Sequence, residues 1–239
     1  MKIKILTLFF LFLLLLVFST DCFNQNTDAD AKGIRTVYLI RHGEYDQTDT
    51  SNSGIEKKLT PLGIAQARLV SARLKGMPVE FTLLTSSTMT RARETAMVIN
   101  EDFPKLALIQ DSLICECTPP SWRKDVVAGE TESDLNKCVE NLEKAFVEFF
   151  VPSPDSIDRN DIIVCHGNVI RYFVTKALKA DPMSWLQMSI TNCSLTIICV
   201  MPDGTMKLDT FSDYGHIPEN MRTFTGGENE TKELVVPKD

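Results

Sequence analysis

The sequence is poor in basic residues, histidine and tryptophan, and it carries no repeats. Lysine and arginine total 25 against 32 aspartates and glutamates, a net charge of −7 over 239 residues. A nucleic-acid partner needs a basic face to neutralise phosphates, so this balance argues against one. It leaves room for a single phosphorylated group held by a few arginines. No self-similarity appears at periods of about 20 to 50 residues, which excludes the common solenoid arrays. No cysteine spacing fits a zinc site, because Cys115 and Cys117 are too close and no Cys–His cluster accompanies them. An Arg- and Ser-rich mitochondrial presequence is also missing. No tryptophan precedes Trp122.

What remains is an ordinary globular composition, 44% hydrophobic and 24% charged, long enough for one sizeable α/β domain and a tail. Residues 5–18 are apolar apart from Thr7, follow Lys2 and Lys4, and end before Asp21. That is the layout of a secretory signal peptide. The run is shorter than the roughly 20 residues of a spanning helix, yet Ser19-Thr20-Asp21-Cys22 is a poor cleavage site. Residues 1–22 are therefore read as a signal peptide or an uncleaved membrane anchor. Residues 23–33 are polar and read as a linker, 34–225 as the folded domain, and 226–239 as a flexible tail. The seven cysteines are expected to be reduced and buried, since Cys165, Cys193 and Cys199 lie in or beside apolar runs. Without residues 1–22 six remain, which leaves pairing open in an oxidising compartment.

Within the domain, apolar strand-like runs alternate with helical patterns. Strands are expected at 37–40, 81–85, 106–109 and 161–165. Helices are expected from Thr60-Pro61 to Gly76, over 90–100, from Thr131 to Phe149, and over 169–179. Pro202-Asp203-Gly204 marks a hairpin between 194–201 and 205–211. The alternation predicts a mainly parallel sheet with helices on both faces, a three-layer α/β/α sandwich closed by an antiparallel hairpin.

Two of the three histidines follow a buried apolar run and precede a glycine. The units read Leu-Ile-Arg-His-Gly at 39–43 and Ile-Val-Cys-His-Gly at 163–167. If both strands are parallel, His42 and His166 emerge at one sheet edge, where α/β proteins bind ligands. Gly43 suits a sharp turn and close approach of a ligand. Arg41 adjoins His42, and Arg91 lies near a helix start after the second strand; guanidinium forks and helix N-termini both favour phosphate. Glu116, in the loop after the third strand, is a candidate proton donor. Arg93 is assigned to a solvated helix face.

Four motifs carry a resemblance: Leu-Ile-Arg-His-Gly-Glu at 39–44, Leu-Thr-Pro-Leu-Gly at 59–63, Ser-Ser-x-x-Thr-Arg-Ala-x-Glu-Thr at 86–95, and Cys-His-Gly-Asn-Val-Ile-Arg-Tyr at 165–172. Together they resemble the histidine phosphatase superfamily, the phosphoglycerate-mutase-like fold, over residues 34–222. Within it they are most similar to the mitochondrial serine/threonine protein phosphatases. The resemblance implies His42 as the phosphate-accepting nucleophile, with Arg41, Arg91 and His166 neutralising the phosphoryl group. It implies Glu116 as the acid and the Gly167-Asn168 backbone as further phosphate donors. No metal or other cofactor is implied. The implied partners are a phosphorylated protein substrate, a membrane reached through the N-terminal segment and, at most, a second copy of the chain.

The short, Pro-containing stretch 117–131 argues for an open pocket and against mutase turnover. The Trp-rich assembly motif that those phosphatases carry before their domain is missing. Placement is at a mitochondrial membrane by resemblance, or in the secretory pathway from the leucine-rich N-terminus. Two other functions are compatible with such a pocket: a small-molecule phosphomonoesterase or mutase, and a membrane-tethered scaffold that only binds phosphate. The intact set of Arg41, His42, Arg91, Glu116 and His166 speaks against the scaffold.

Overall fold

The computed structural model describes residues 32–50 and 53–224. The expected signal or anchor at 1–22, nearly all of the expected linker and the expected tail at 226–239 lie outside the described residues. Among the described residues no helix is long and apolar enough to cross a membrane.

Six strands form one sheet: β1 (Arg35–Arg41), β2 (Leu83–Ser87), β3 (Leu108–Asp111), β4 (Arg159–Cys165), β5 (Leu195–Val200) and β6 (Met206–Asp213), in the order β3-β2-β4-β1-β5-β6. β1 to β4 run parallel, while β5 pairs antiparallel with both β1 and β6. The expected sandwich with a closing hairpin is what forms.

Side chains alternate across the sheet. Val37 and Leu39 join Ile163 and Cys165 on one face, under the helices α4 (Glu132–Phe149) and α5 (Gly167–Ala177). Tyr38 and Ile40 join Ile162 and Val164 on the other, under α1 (Pro61–Lys75) and α2 (Thr90–Asp102). Val37, Leu39 and Ile40 are wholly buried, each stabilising the fold by about 1.5–3 kcal/mol. A four-residue helix, α3 (Lys124–Val127), lies in the 117–131 stretch, where no element was expected.

Helix ends follow the local chemistry. The Thr60 hydroxyl accepts from the Gly63 N–H at 3.1 Å, with Pro61 opening α1, and the Thr131 hydroxyl accepts from the Asp134 N–H at 3.1 Å. Several boundaries differ from expectation by one or two residues, and three of them bear on the site. β2 and β3 each run two residues further than expected, so Ser86 and Ser87 belong to β2; parallel neighbours supply ladder partners even to serines. α5 begins at Gly167, which makes His166 its N-cap residue.

One expectation is corrected. Cys117 and Cys138 are joined by a disulfide, so the cysteines are not all reduced. Cys117 follows Glu116 and Cys138 lies on α4. The bond spans 21 residues, and nothing in that spacing signals it. Cys115, Cys165, Cys193 and Cys199 are free.

Candidate active site

The site is built by register. In the β1–β4 pairing Ile40 faces Val164 and Arg41 faces Cys165, so the two matched units align residue for residue. The next residues, His42 and His166, therefore leave the sheet side by side, with ring centroids 5.1 Å apart.

Residues of the motifs outside the His–Arg cluster hold this strand end in place. A Cβ on Gly43 would stand 2.5 Å from the Gly63 carbonyl oxygen, and one on Gly63 would stand 2.0 Å from that of Glu44. Both glycines thus serve the contact between the loop after β1 and the start of α1, rather than a ligand's approach by Gly43. The Gly43 N–H donates to Thr95 Oγ1 at 3.0 Å, and the Leu59 N–H to Glu94 Oε2 at 2.8 Å. The Glu44 N–H donates to Gln66 Oε1 at 2.8 Å, and Asn192 Nδ2 to the His42 carbonyl at 2.9 Å. Three motifs are knitted to one strand end in this way.

The hydrogen bonds of His42 fix its tautomer. The Gly43 carbonyl, 2.7 Å from Nδ1, only accepts; Arg91 Nε–H, 3.2 Å from Nε2, only donates. A neutral ring satisfies both with the proton on Nδ1 and the lone pair of Nε2 directed at the arginine. His42, His166, Arg41 and Arg91 are exposed by only 1%, 0%, 4% and 4%. Burial, then His166, Arg41 and Arg91, lower the His42 pKa well below the ordinary imidazole value. Burial and the same two arginines do so for His166. Both rings are therefore neutral near pH 7.

Arg41 donates to the Ile190 carbonyl, and burial pushes its pKa down to about 10, leaving it charged. Arg91 donates from Nη1 to the Gly54 carbonyl at 2.8 Å, and Tyr45 lies 4.6 Å under its guanidinium. Both contacts come from the loop after β1.

His166 Nε2 meets Ser87 Oγ at 2.8 Å, and its Nδ1 is buried with no protein partner. Ser87 was missed as a partner because the strand was expected to stop before it. Glu116 faces the cluster from the segment after a 3-10 turn, Ser112–Ile114. Burial raises its pKa while Arg41, Arg91 and Arg171 oppose. The Asn168 N–H donates to Glu116 Oε1 at 3.3 Å. Gly167 lies against Arg41, whose Nε would be 3.5 Å from an added Cβ. The third histidine, His216, meets the Cys193 carbonyl at 3.0 Å, outside this cluster. Among the described residues no group of three or more His, Cys, Asp or Glu side chains is placed to hold a metal ion.

A parallel sheet whose carboxyl edge gathers two neutral imidazoles, two guanidinium groups and a carboxyl defines an α/β protein built to handle an anion. Its class is settled by likeness. The family model of the histidine phosphatase superfamily (branch 1) matches residues 37–147 and 154–213, and the chain belongs to that superfamily. It is 38% identical over 205 residues to the Caenorhabditis elegans mitochondrial serine/threonine-protein phosphatase Pgam5, covering 82% of this chain and 68% of that protein. It is 31% identical over 202 residues to the Homo sapiens mitochondrial serine/threonine-protein phosphatase PGAM5, covering 81% and 67%. Among solved structures, the phosphoglycerate mutase of Plasmodium falciparum matches with a TM-score of 0.54 and 27% identity, over 75% of this chain and 91% of that one. A putative alpha-ribazole-5'-P phosphatase of Escherichia coli shares the fold at a TM-score of 0.60 and 19% identity, over 75% and 96%.

Proposed function

We propose that the chain is a metal-independent phosphatase that hydrolyses phosphoserine and phosphothreonine in proteins through a phosphohistidine at His42. The observation that carries this is the His42 tautomer: a neutral imidazole whose Nε2 lone pair points at Arg91. Nε2 attacks phosphorus as the bond to the leaving oxygen breaks, and Glu116 gives that oxygen its proton. Water then attacks phosphorus, the P–N bond breaks, Glu116 takes the water's proton, and His42 returns neutral. Arg41 and Arg91 compensate the equatorial oxygens' charge, the dominant need in phosphoryl transfer. With its proton on Nδ1, His166 donates to the same group. The guanidinium charge stands where other phosphatases use a metal. Likeness to relatives named serine/threonine-protein phosphatases supports a phosphoprotein substrate over sugar phosphates.

Phosphoserine and phosphothreonine peptides are expected to be hydrolysed with EDTA present, and 3-phosphoglycerate to show negligible mutase turnover. Loss of activity in EDTA, restored by a divalent metal, contradicts the metal-free reading. Preference for sugar phosphates contradicts the protein substrate.

The apolar run at 5–18 supports membrane attachment, and the relatives' names support a mitochondrial membrane. The Cys117–Cys138 disulfide favours a second placement, an oxidising compartment such as the secretory pathway. The full-length chain is expected to pellet with membranes, and thiol alkylation in intact cells without reductant to spare Cys117 and Cys138. Labelling of both cysteines in cells removes the basis for the second placement, and recovery of the uncleaved chain in the soluble fraction removes the membrane attachment.

A further inference from the structure

The segment carrying Glu116 is held from more than one side, and the Glu116 N–H donates to Met89 Sδ at 3.3 Å. A cavity of about 390 Å³ separates it from α4, walled by Cys117, Thr118, Glu130, Asp134 and Lys137, and the Cys117–Cys138 disulfide crosses that side. Support from the other side comes from the first turn of α5. Asn168 donates from its backbone N–H to Glu116 Oε1 at 3.3 Å and from Nδ2 to the Cys117 carbonyl at 3.0 Å. Its side-chain oxygen accepts from Arg171 Nη1 at 3.2 Å, one turn along the helix. An amide that donates through Nδ2 must present Oδ1 to a donor, so Arg171 fixes which way Asn168 faces. Arg171 is itself placed by Trp185, whose ring centroid is 6.0 Å from its Cζ and whose Nε1–H donates to the Pro120 carbonyl at 2.9 Å. Arg171 is half-buried, its Nε has no protein partner, and the reaction described above does not use it.

We propose that Arg171 is a positioning residue for the proton donor: acting through Asn168, it holds the segment that carries Glu116 against the start of α5, so that the carboxyl meets the leaving oxygen. The inference rests on the reading of Glu116 as the acid. The charged groups facing Glu116 are Arg41 from β1, Arg91 from α2 and Arg171 from α5. The first two belong to the phosphoryl site. Arg171 is the one whose hydrogen bond runs to the residue that binds the carboxylate. The motif Asn168-Val169-Ile170-Arg171 supplies the pair at i, i+3, the spacing at which helical side chains meet.

The test is a leaving-group series, from activated aryl phosphates to alkyl phosphates and a phosphoserine peptide, with the full chain. An activated aryl oxygen needs little protonation, so loss of the acid spares it. Glu116→Gln is expected to lower kcat/KM, which reports phosphorylation of His42 and not the later hydrolysis common to all esters, by about 100-fold on alkyl esters, within the usual range for a general acid, and on the aryl ester far less. Arg171→Met is expected to lower the alkyl kcat/KM by about 10-fold with the same bias, and to add little further loss to Glu116→Gln, since groups acting as a unit are non-additive. Arg171→Lys, which retains a donor for Asn168, should recover most of the rate. Asn168→Ala should reproduce Arg171→Met, which gives a second readout if that variant folds poorly. Equal loss on every ester, or a rise in KM alone, overturns the inference. A biased series for Glu116→Gln with an unbiased one for Arg171→Met and Asn168→Ala defeats the positioning role alone. An unbiased series for Glu116→Gln defeats the acid assignment and the inference with it.

Discussion

His42→Ala is expected to abolish turnover, by on the order of 10⁴-fold or more, because it removes the group proposed to form the covalent intermediate. The competing nucleophiles near the site are poor ones. Cys165 and Cys193 are buried, and burial pushes both thiols well above their ordinary pKa, so neither is a thiolate near pH 7. Ser87 Oγ is occupied by His166 Nε2 and by the Met89 N–H at 3.2 Å. The fold should persist, since the substitution removes two buried hydrogen bonds, to the Gly43 carbonyl and from Arg91 Nε–H, at a cost of about 1–3 kcal/mol each, while Gly43, Gly63 and Asn192 still hold the loop. Rapid quenching with labelled substrate checks the chemistry directly. The wild-type chain should carry label on His42 in a bond stable to alkali and broken by acid, as a phosphoryl-imidazole is and a phosphoserine is not. Label on Ser87 or Cys165, or near wild-type turnover by the variant, sinks the assignment.

Much of this site was legible because it rests on register between two parallel strands. Both units place a histidine and a glycine directly after a buried strand, and the sheet aligns them with Arg41 opposite Cys165. The sheet's composition also follows from local pattern: runs such as Leu39-Ile40 and Ile162-Ile163-Val164 admit burial on both faces. What was not legible depends on contacts between distant segments. Ser86 and Ser87 read as a strand's end, since serine does not favour strands; the ladder to β3 and β4 overrides that preference. The pairing of Cys117 with Cys138 depends on where α4 docks, which no spacing encodes. Gly43 read as a place for a ligand to approach, and the neighbour it admits is Gly63, twenty residues on. The Asn168 N–H meets Glu116 because the acid's segment returns across the start of α5.

Acid is expected to stop the reaction and then the fold, through the same rings. In the folded chain His42 and His166 titrate well below the ordinary imidazole value, because burial and the neighbouring arginines disfavour their charged forms. His216 is also lowered, mainly by burial. Unfolding returns each to about 6.5. Below that pH the unfolded chain binds more protons than the folded one, so stability is present above about 6.5 and is lost as pH falls toward the folded values. Glu116 works the other way: burial raises its folded pKa, so its share is present at low pH and lost as pH rises through that value. Three histidines act against one glutamate, so the net effect expected below about 6.5 is a loss of stability with acid. Urea unfolding between pH 7.5 and 5.5 should show stability falling with acid, and His42→Ala should make the slope shallower by about one proton. For kcat/KM, the acid limb belongs to the imidazoles and the alkaline limb to Glu116, which must be protonated to act. The optimum should therefore lie on the acid side of neutrality, and Glu116→Gln should remove the alkaline limb while leaving the acid one. A stability that stays flat across that range, or an acid limb centred at or above 6.5, contradicts neutral buried rings.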